Sequence, residues 1–107
     1  MEHIGYLETF YKLPAEAFHV VVDFTDALDT GETVASAVAV AKDRVDESVV
    51  TATITGAVTV ASPEVTVPIM AGTAGHSYAV KVTATSSNAH IYEEAVLIVV
   101  SAPAAVS

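Results

Sequence analysis

Apolar and polar residues alternate along most of this chain, which is the period-two pattern of β-strands with one buried face. The pattern is clearest at residues 72–85, GTAGHSYAVKVTAT, where a Gly-x-x-Gly turn leads into a run with Tyr78, Val80 and Val82 at alternate positions. We expect Gly72 and Gly75 to form a hairpin corner and Tyr78 and Val80 to face a core. This arrangement predicts a small all-β sandwich.

The same alternation, interrupted by turn residues, predicts six or seven strands along the chain. Gly56 indicates a bulge or tight turn between two of them, and Pro68 marks an edge strand or a break, because proline cannot donate to a ladder. The alanine-rich segment 34–45 also fits a helix, but its valines and flanking turns favour a strand. The predicted strands cover residues 18–24, 33–41, 49–55, 57–61, 64–70, 76–86 and 91–100.

The first eleven residues have a different pattern, since Ile4, Leu7, Phe10 and Tyr11 lie near helical spacing. A short amphipathic helix and an arm packed on the sandwich both fit this spacing. We predict a single domain, with an amino-terminal arm at residues 1–16, the sandwich at 17–101 and a tail at 102–107.

The chain of 107 residues is strongly acidic, with 13 acidic and four basic residues and a formal net charge of −9. This balance argues against nucleic acid and against an anionic membrane surface as partners, because both need clustered Lys and Arg. No segment approaches the roughly 20 apolar residues of a membrane span. The amino terminus lacks the pattern of a signal peptide, so we predict no export by that route. Without cysteine there is no disulfide framework.

Acidic residues recur every third position in the loop after the first predicted strand, at Asp23, Asp26, Asp29 and Glu32. Such a set of oxygen ligands raises the question of a calcium site. The spacing is not that of an EF-hand, and a solvated loop in which Asp29 caps a turn is the favoured interpretation. We predict no metal and no cofactor.

Catalytic patterns are also missing from the sequence. Glu93 and Glu94 are adjacent on a predicted strand, so they point to opposite faces and do not converge on one substrate. No GxSxG motif is present, and the glycines at 72 and 75 open a strand rather than a phosphate-binding helix. The chain is therefore predicted not to be an enzyme.

Two stretches, residues 11–41 and 72–100, resemble a family of small bacteriophage and prophage proteins. The family pattern has a Lys-x-Pro leader, an acidic-aromatic pair, a Gly-Glu-Thr-Val-Ala-Ser strand start and a Gly-Thr-Ala-Gly-x-x-Tyr hairpin. The matching residues are Lys12 and Pro14, Asp23 and Phe24, residues 31–36, and residues 72–75 with Tyr78.

The resemblance implies an immunoglobulin-like or fibronectin type III-like antiparallel sandwich, because the family proteins resemble those folds. Residues 75–80 are similar to the tyrosine corner of immunoglobulin domains, in which the Tyr78 hydroxyl would bond back to the backbone and Val80 would replace a cysteine.

The resemblance also implies a non-enzymatic structural or interaction protein of a phage or prophage particle. Its partners would be other virion proteins or further copies of itself, and it would be cytoplasmic during assembly and then part of the virion. The aromatic residues Tyr6, Phe10 and Tyr11 are the candidate partner-binding group. The alternative is an adhesion or carbohydrate-binding module that uses loops at one end of the sandwich.

Overall fold

A computed structural model describes residues 8–102, and this part of the chain forms seven β-strands and one short helix. Six of the strands lie where alternation predicts them, and the seventh lies in the amino-terminal segment. The elements are β1 Glu8–Lys12, β2 Phe18–Asp23, β3 Val34–Asp43, α1 Thr51–Ile54, β4 Thr59–Ala61, β5 Glu64–Ile69, β6 Ser77–Ser86 and β7 Ile91–Val100.

The strands form two sheets that pack face to face. One sheet has the order β1-β7-β6-β3 and the other has the order β2-β5-β4. All neighbours are antiparallel except β1, which runs parallel to β7. The predicted all-β sandwich of about seven strands is confirmed.

Aliphatic side chains from both sheets fill the space between them. Valine dominates this core because its branched side chain suits the pleated backbone of a strand and packs closely against its neighbours. Complete burial of each such side chain stabilises the fold by about 1.5–3 kcal/mol. The residues that are at most 2% exposed include Val20, Val22, Phe24, Ile54, Val65, Val67, Ile69, Val80, Val82, Val96, Ile98 and Val100.

The strand predicted at residues 49–55 is wrong, because Thr51–Ile54 is a helical turn. The amides of Thr53 and Ile54 donate to the carbonyl of Val50, and the turn places Ile54 in the core at 2% exposure. The Thr51 hydroxyl accepts the amide of Ala41. These tertiary contacts override the β-propensity of the segment. The helical alternative for residues 34–45 is also wrong, since Val34–Asp43 is a strand.

The described part of the amino-terminal segment, Glu8–Lys12, is a strand rather than a helix. It pairs with Val96–Val100, which buries Lys12 and leaves Tyr11 exposed. The division of the chain into an arm, a sandwich and a tail stays a prediction.

Pro68 lies in the central strand of its sheet rather than in an edge strand. The strand resembles an edge only near Pro68 itself, because β4 does not extend that far. It pairs with His19 on β2, and its carbonyl accepts the amide of Gly56. The nitrogen and the carbonyl of a strand residue face the same side, so the missing N–H faces away from β2. On that side β4 pairs only as far as Thr66. There Gly56 lies opposite Pro68, next to the isolated bridge between Thr55 and Ile69, so any hydrogen bond lost to the proline lies outside the β4–β5 ladder.

The Gly-Thr-Ala-Gly turn is attached to the end of β7. The Gly75 amide donates to the carbonyl of Val100, and the hydroxyl of buried Tyr78 accepts the Thr73 amide at 2.8 Å. This is the contact that the tyrosine-corner interpretation predicts. Gly72 has a φ of +109°, and a Cβ added there would lie 2.8 Å from Cγ2 of Val100.

The two glycines of this turn form a matched pair for mutation. Gly72→Ala should destabilise the fold by about 2 kcal/mol or more, because a left-handed backbone and the Val100 clash act together. Gly75→Ala should cost about 1 kcal/mol, since its φ of +87° is unfavourable but no atom lies within 4 Å of the added Cβ. Urea unfolding of both variants measures the difference, and equal losses would contradict the proposed clash.

Candidate protein interface

Lys12, the lysine of the Lys-x-Pro leader, is buried at the end of β1 with 3% exposure. Its ammonium donates to the carbonyls of Leu13 at 2.7 Å and Pro14 at 3.1 Å, and also to the carbonyl of Ala71. Burial lowers the pKa of Lys12, and the Glu16 carboxylate opposes this shift. A buried ammonium needs acceptors for its N–H groups, and the three carbonyls supply them. Lys12 therefore holds the leader against the loop at Ala71.

Glu32 is a second buried charged residue, and it holds loops together at the opposite end of β6. Its Oε1 accepts the amide of Asp29 at 2.8 Å and the hydroxyl of Tyr92 at 2.9 Å. Its Oε2 accepts the hydroxyl of Ser86 and lies 2.9 Å from Nδ1 of His90. The Ser86 hydroxyl and then the Asp29 amide do most to lower the pKa of Glu32 to about 2, against the opposing effect of desolvation. Glu32 thus joins the start of β3 to the β6–β7 hairpin.

The acidic residues considered for calcium are only partly brought together. Possible ligand atoms of Asp29, Glu32 and His90 lie within 4.8 Å of one another. Asp23 instead accepts hydrogen bonds from the residue two positions later, and Asp26 lines a surface groove. Both oxygens of Glu32 already accept hydrogen bonds, and Ca²⁺ prefers oxygen ligands to an imidazole. This geometry supports a structural polar cluster better than a calcium site.

The matching motif residues therefore support the fold rather than a reaction. Lys12 and Tyr78 fix loops at one end of the sandwich, and Glu32 fixes loops at the other. Val80 lies in the core between these ends with no exposure. The side chains that the fold leaves exposed are therefore the candidates for a functional surface.

The outer face of the four-stranded sheet carries such exposed or half-buried apolar side chains on each of its strands. Strand register places Tyr11 beside Val99 and Leu97 beside Ala79 across neighbouring strands. Val38 points outward from β3 and is 61% exposed. The apolar members of this outer face are Tyr11, Val38, Val40, Ala79, Ile91, Ala95, Leu97 and Val99, and its polar members are Thr9, Ser36, Lys42, Ser77, Lys81, Thr83, Thr85 and Glu93.

The charges of the chain are unevenly distributed around this outer face. Of the four basic residues, Lys42 and Lys81 lie on it, Arg44 follows directly after β3, and Lys12 is buried. The one acidic member of the outer face, Glu93, pairs with Lys81 at 3.4 Å. A surface on which half of the side chains are apolar and the few charges nearly balance, on a chain of net charge −9, suits a protein interface.

The three aromatic residues predicted to bind a partner differ in where they lie. Tyr6 lies outside the described residues. Phe10 is half-buried against the core, with its ring centroid 6.0 Å from that of Phe18. Tyr11 is 72% exposed on the outer face. Partner binding by Tyr11 stays a prediction, and the geometry assigns Phe10 to packing.

The outer face was not predicted, although the sequence contains a signal for it. Residues 95–100, AVLIVV, are apolar at six consecutive positions. A strand with one wet face alternates, whereas a continuous apolar run is typical of a strand that is covered on both faces. Val96 and Ile98 face the core, so Leu97 and Val99 supply the second apolar face.

Comparison with protein families finds a match over most of the chain. A family model described as "Podophage GP4 fiber-tail adaptor protein gp77" matches residues 12–99. No curated protein matches the chain.

The helix found among residues 8–102 has four residues, too few to cross a bilayer.

Removal of the Glu32 carboxylate should change how stability depends on pH. A folded-state pKa of about 2, below the ordinary 4.5, means that the ionised carboxylate stabilises the fold above about pH 4.5 and loses this effect as pH falls toward 2. Thermal melting should show Glu32→Gln well below wild type at pH 7 and close to it near pH 2.5. Glu64→Gln, at an exposed carboxylate, is the control. A gap between Glu32→Gln and wild type that is independent of pH would refute the linkage.

Proposed function

This chain belongs to the family of podophage GP4 fiber-tail adaptor proteins, and we propose that it joins a tail fibre to the tail by docking through its outer face. Family membership makes it a structural protein of the phage virion that interacts with other virion proteins. The observation that carries the proposal is the outer face, where exposed or half-buried apolar side chains occur on every strand and are interrupted on β6 by Lys81 and Thr83. It spans all four strands of the larger sheet and projects Tyr11 and Val38 into solvent.

The side chains of the outer face suit a tight, rigid contact. Alanine, valine and threonine have few rotamers, so a partner that covers them orders little that was free. The sheet beneath is fixed by antiparallel ladders on both sides of β6. Tyr11 adds an exposed aromatic ring, a residue type that is enriched at interface centres. Docking therefore gains apolar burial at a low cost in conformational entropy.

The proposal includes the absence of catalysis. The two buried polar clusters described above use their charged groups structurally, since Lys12 contacts three carbonyls and Glu32 accepts three hydrogen bonds and contacts His90. The carbohydrate-binding alternative receives less support, because it needs exposed rings on loops. Phe24 and Tyr78 are buried, and the Tyr92 hydroxyl is occupied by Glu32.

An immunoglobulin-like origin for the sandwich is part of the same proposal. The observed orders β2-β5-β4 and β7-β6-β3 correspond to the B-E-D and G-F-C arrangement of immunoglobulin domains, with β1 as an added strand beside G. Tyr78 near the start of β6 occupies the position of the tyrosine corner. Homo-oligomerisation and cytoplasmic assembly before incorporation stay predictions.

Reconstitution on particles tests the docking face. Tail-bearing particles would be prepared from the encoding phage with this gene deleted and mixed with purified full-length protein. Wild-type protein should bind the particles and allow fibres to attach, as judged by co-sedimentation and negative-stain microscopy. Val38→Asp and Tyr11→Ser should each weaken particle binding about tenfold or more, because they place a charge in the apolar face or remove its exposed ring.

Val21→Asp is the matched control, since Val21 is 50% exposed on the outer side of the other sheet. Binding that is lost in Val21→Asp and kept in Val38→Asp would place the docking surface on the smaller sheet and refute this proposal. Circular dichroism of each variant would confirm that it is folded.

A further inference from the structure

Strand β3 is the outer strand of the larger sheet on the side opposite β1. Near its end, the Asp43 amide points away from β6 and donates to the carbonyl of Ser48. Direction alternates along a strand with regular register, so the amides and carbonyls of Ala37 and Ala39 point the same way. No partner for these four backbone groups occurs among residues 8–102.

We call residues 37–39 the β3 edge. It begins after a bulge between Val34 and Ser36, and it ends where the Val50 amide donates to the carbonyl of Ala41. Val38, at its centre, is 61% exposed. The surrounding stretch 33–41, TVASAVAVA, contains no charge and no proline, which are common protections of an edge strand. The β3 edge therefore has the features of a strand that pairs with another chain.

Residues outside the described part are too short to pair along the β3 edge of their own chain. Register places Glu8 level with Ala41 and four strand spacings from the position beside Val38, a distance of about 22 Å. Residues 1–7 span at most about 24 Å, so they would end where pairing should begin. Val100 is about 27 Å from the same position, and residues 101–107 span at most about 24 Å. An occupant of the β3 edge therefore comes from another chain.

We propose that residues 103–107 of one copy, PAAVS, add as a short strand to the β3 edge of the next copy. We call these residues the tail segment. Its backbone would form hydrogen bonds with Ala37 and Ala39, which is the main source of affinity in strand addition. The two contacting surfaces differ, so the contact can repeat from copy to copy. This self-association is separate from docking through the outer face.

Composition favours the tail segment as the occupant. The tail segment and residues 33–41 both lack charge, so they bring together two neutral stretches of a chain with net charge −9. Pro103 favours an extended backbone at Ala102, which directs the tail segment away as an extended chain. Residues 1–7, MEHIGYL, are the other stretch outside the described part, and they contain an acid.

The β3 strand of a second copy fits the β3 edge poorly. Antiparallel pairing about Val38 would place residues 34–35 of the second copy beside Ala41 and Lys42. That position is already filled by residues 48–51, which bond to β3 there. A segment as short as residues 103–107 avoids this overlap.

Sedimentation of the full-length protein at increasing concentration tests the proposal. A contact of this size is weak, so the wild-type mass should rise above that of a monomer by about 1 mM. Ala37→Pro should weaken self-association about tenfold or more, because the ring blocks the edge without removing a hydrogen bond to β6. Val21→Pro is the control, since the Val21 amide faces away from β5 in the same manner. A wild-type mass that stays monomeric up to about 1 mM would overturn the proposal.

A mixture of two impaired variants tests the head-to-tail arrangement. Val106→Asp places a charge in the tail segment, outside residues 8–102. Alone, Val106→Asp and Ala37→Pro should each be monomeric where the wild type associates. Mixed, the intact tail segment of Ala37→Pro meets the intact β3 edge of Val106→Asp, so 1:1 dimers and no larger species should form. If Val106→Asp alone associates like wild type, or the mixture stays monomeric, the proposal is wrong.

Amide hydrogen exchange of the wild type gives a test that does not depend on the folding of a proline variant. Protection of the Ala37 and Ala39 amides should rise about tenfold or more as protein concentration rises. The Val38 and Val40 amides face β6 and are the internal control. Protection of Ala37 that is independent of concentration would contradict the proposal. Tyr11→Ser should leave the response intact, so failure of the outer face and failure of the β3 edge give different results.

Discussion

Packing of aliphatic side chains between the two sheets is the interaction on which the rest of this molecule depends. The chain has no cysteine and no tryptophan, so neither a disulfide nor an indole ring joins the sheets. Val20 and Val22 on one sheet and Val80 and Val82 on the other carry that contact, and each is at most 2% exposed. Because the valine side chain is short, the two sheets must pack closely together. The loops at each end must therefore adopt conformations that allow this close packing.

A buried charged residue at each end of the sandwich holds the loops there in such a conformation. Removing a charge from water costs several kcal/mol unless partners replace the lost hydration. Lys12 contacts three carbonyl oxygens, and Glu32 accepts three hydrogen bonds and contacts His90, so each tolerates burial and fixes one arrangement of its loops. An apolar residue at either place would fill the space without selecting which loop conformation closes the end.

Much of the fold could be predicted from the sequence, because strands with one buried face leave a local, period-two signal. Residues 18–24 and 76–86 were predicted as strands with nearly the observed bounds. The turn at Thr51–Ile54 was missed because its cause is tertiary, namely a core position for Ile54 that a strand would not reach. The contact of Lys12 with Ala71 joins residues 59 positions apart, and no local pattern contains it. The outer face was missed because alternation was expected where β7 is apolar on both sides.

The parallel pairing of β1 with β7 has a mechanical consequence. Because the two strands run in the same direction, a pull on Glu8 toward the start of the chain and a pull on Val100 toward its end slide the strands along each other. The hydrogen bonds between them then bear the load together instead of opening one after another from an end. The proposed link between a fibre and a tail would be under tension whenever the particle is tethered to a surface. In this molecule the first and last strands form a shear joint, so such a load would be shared along their whole contact.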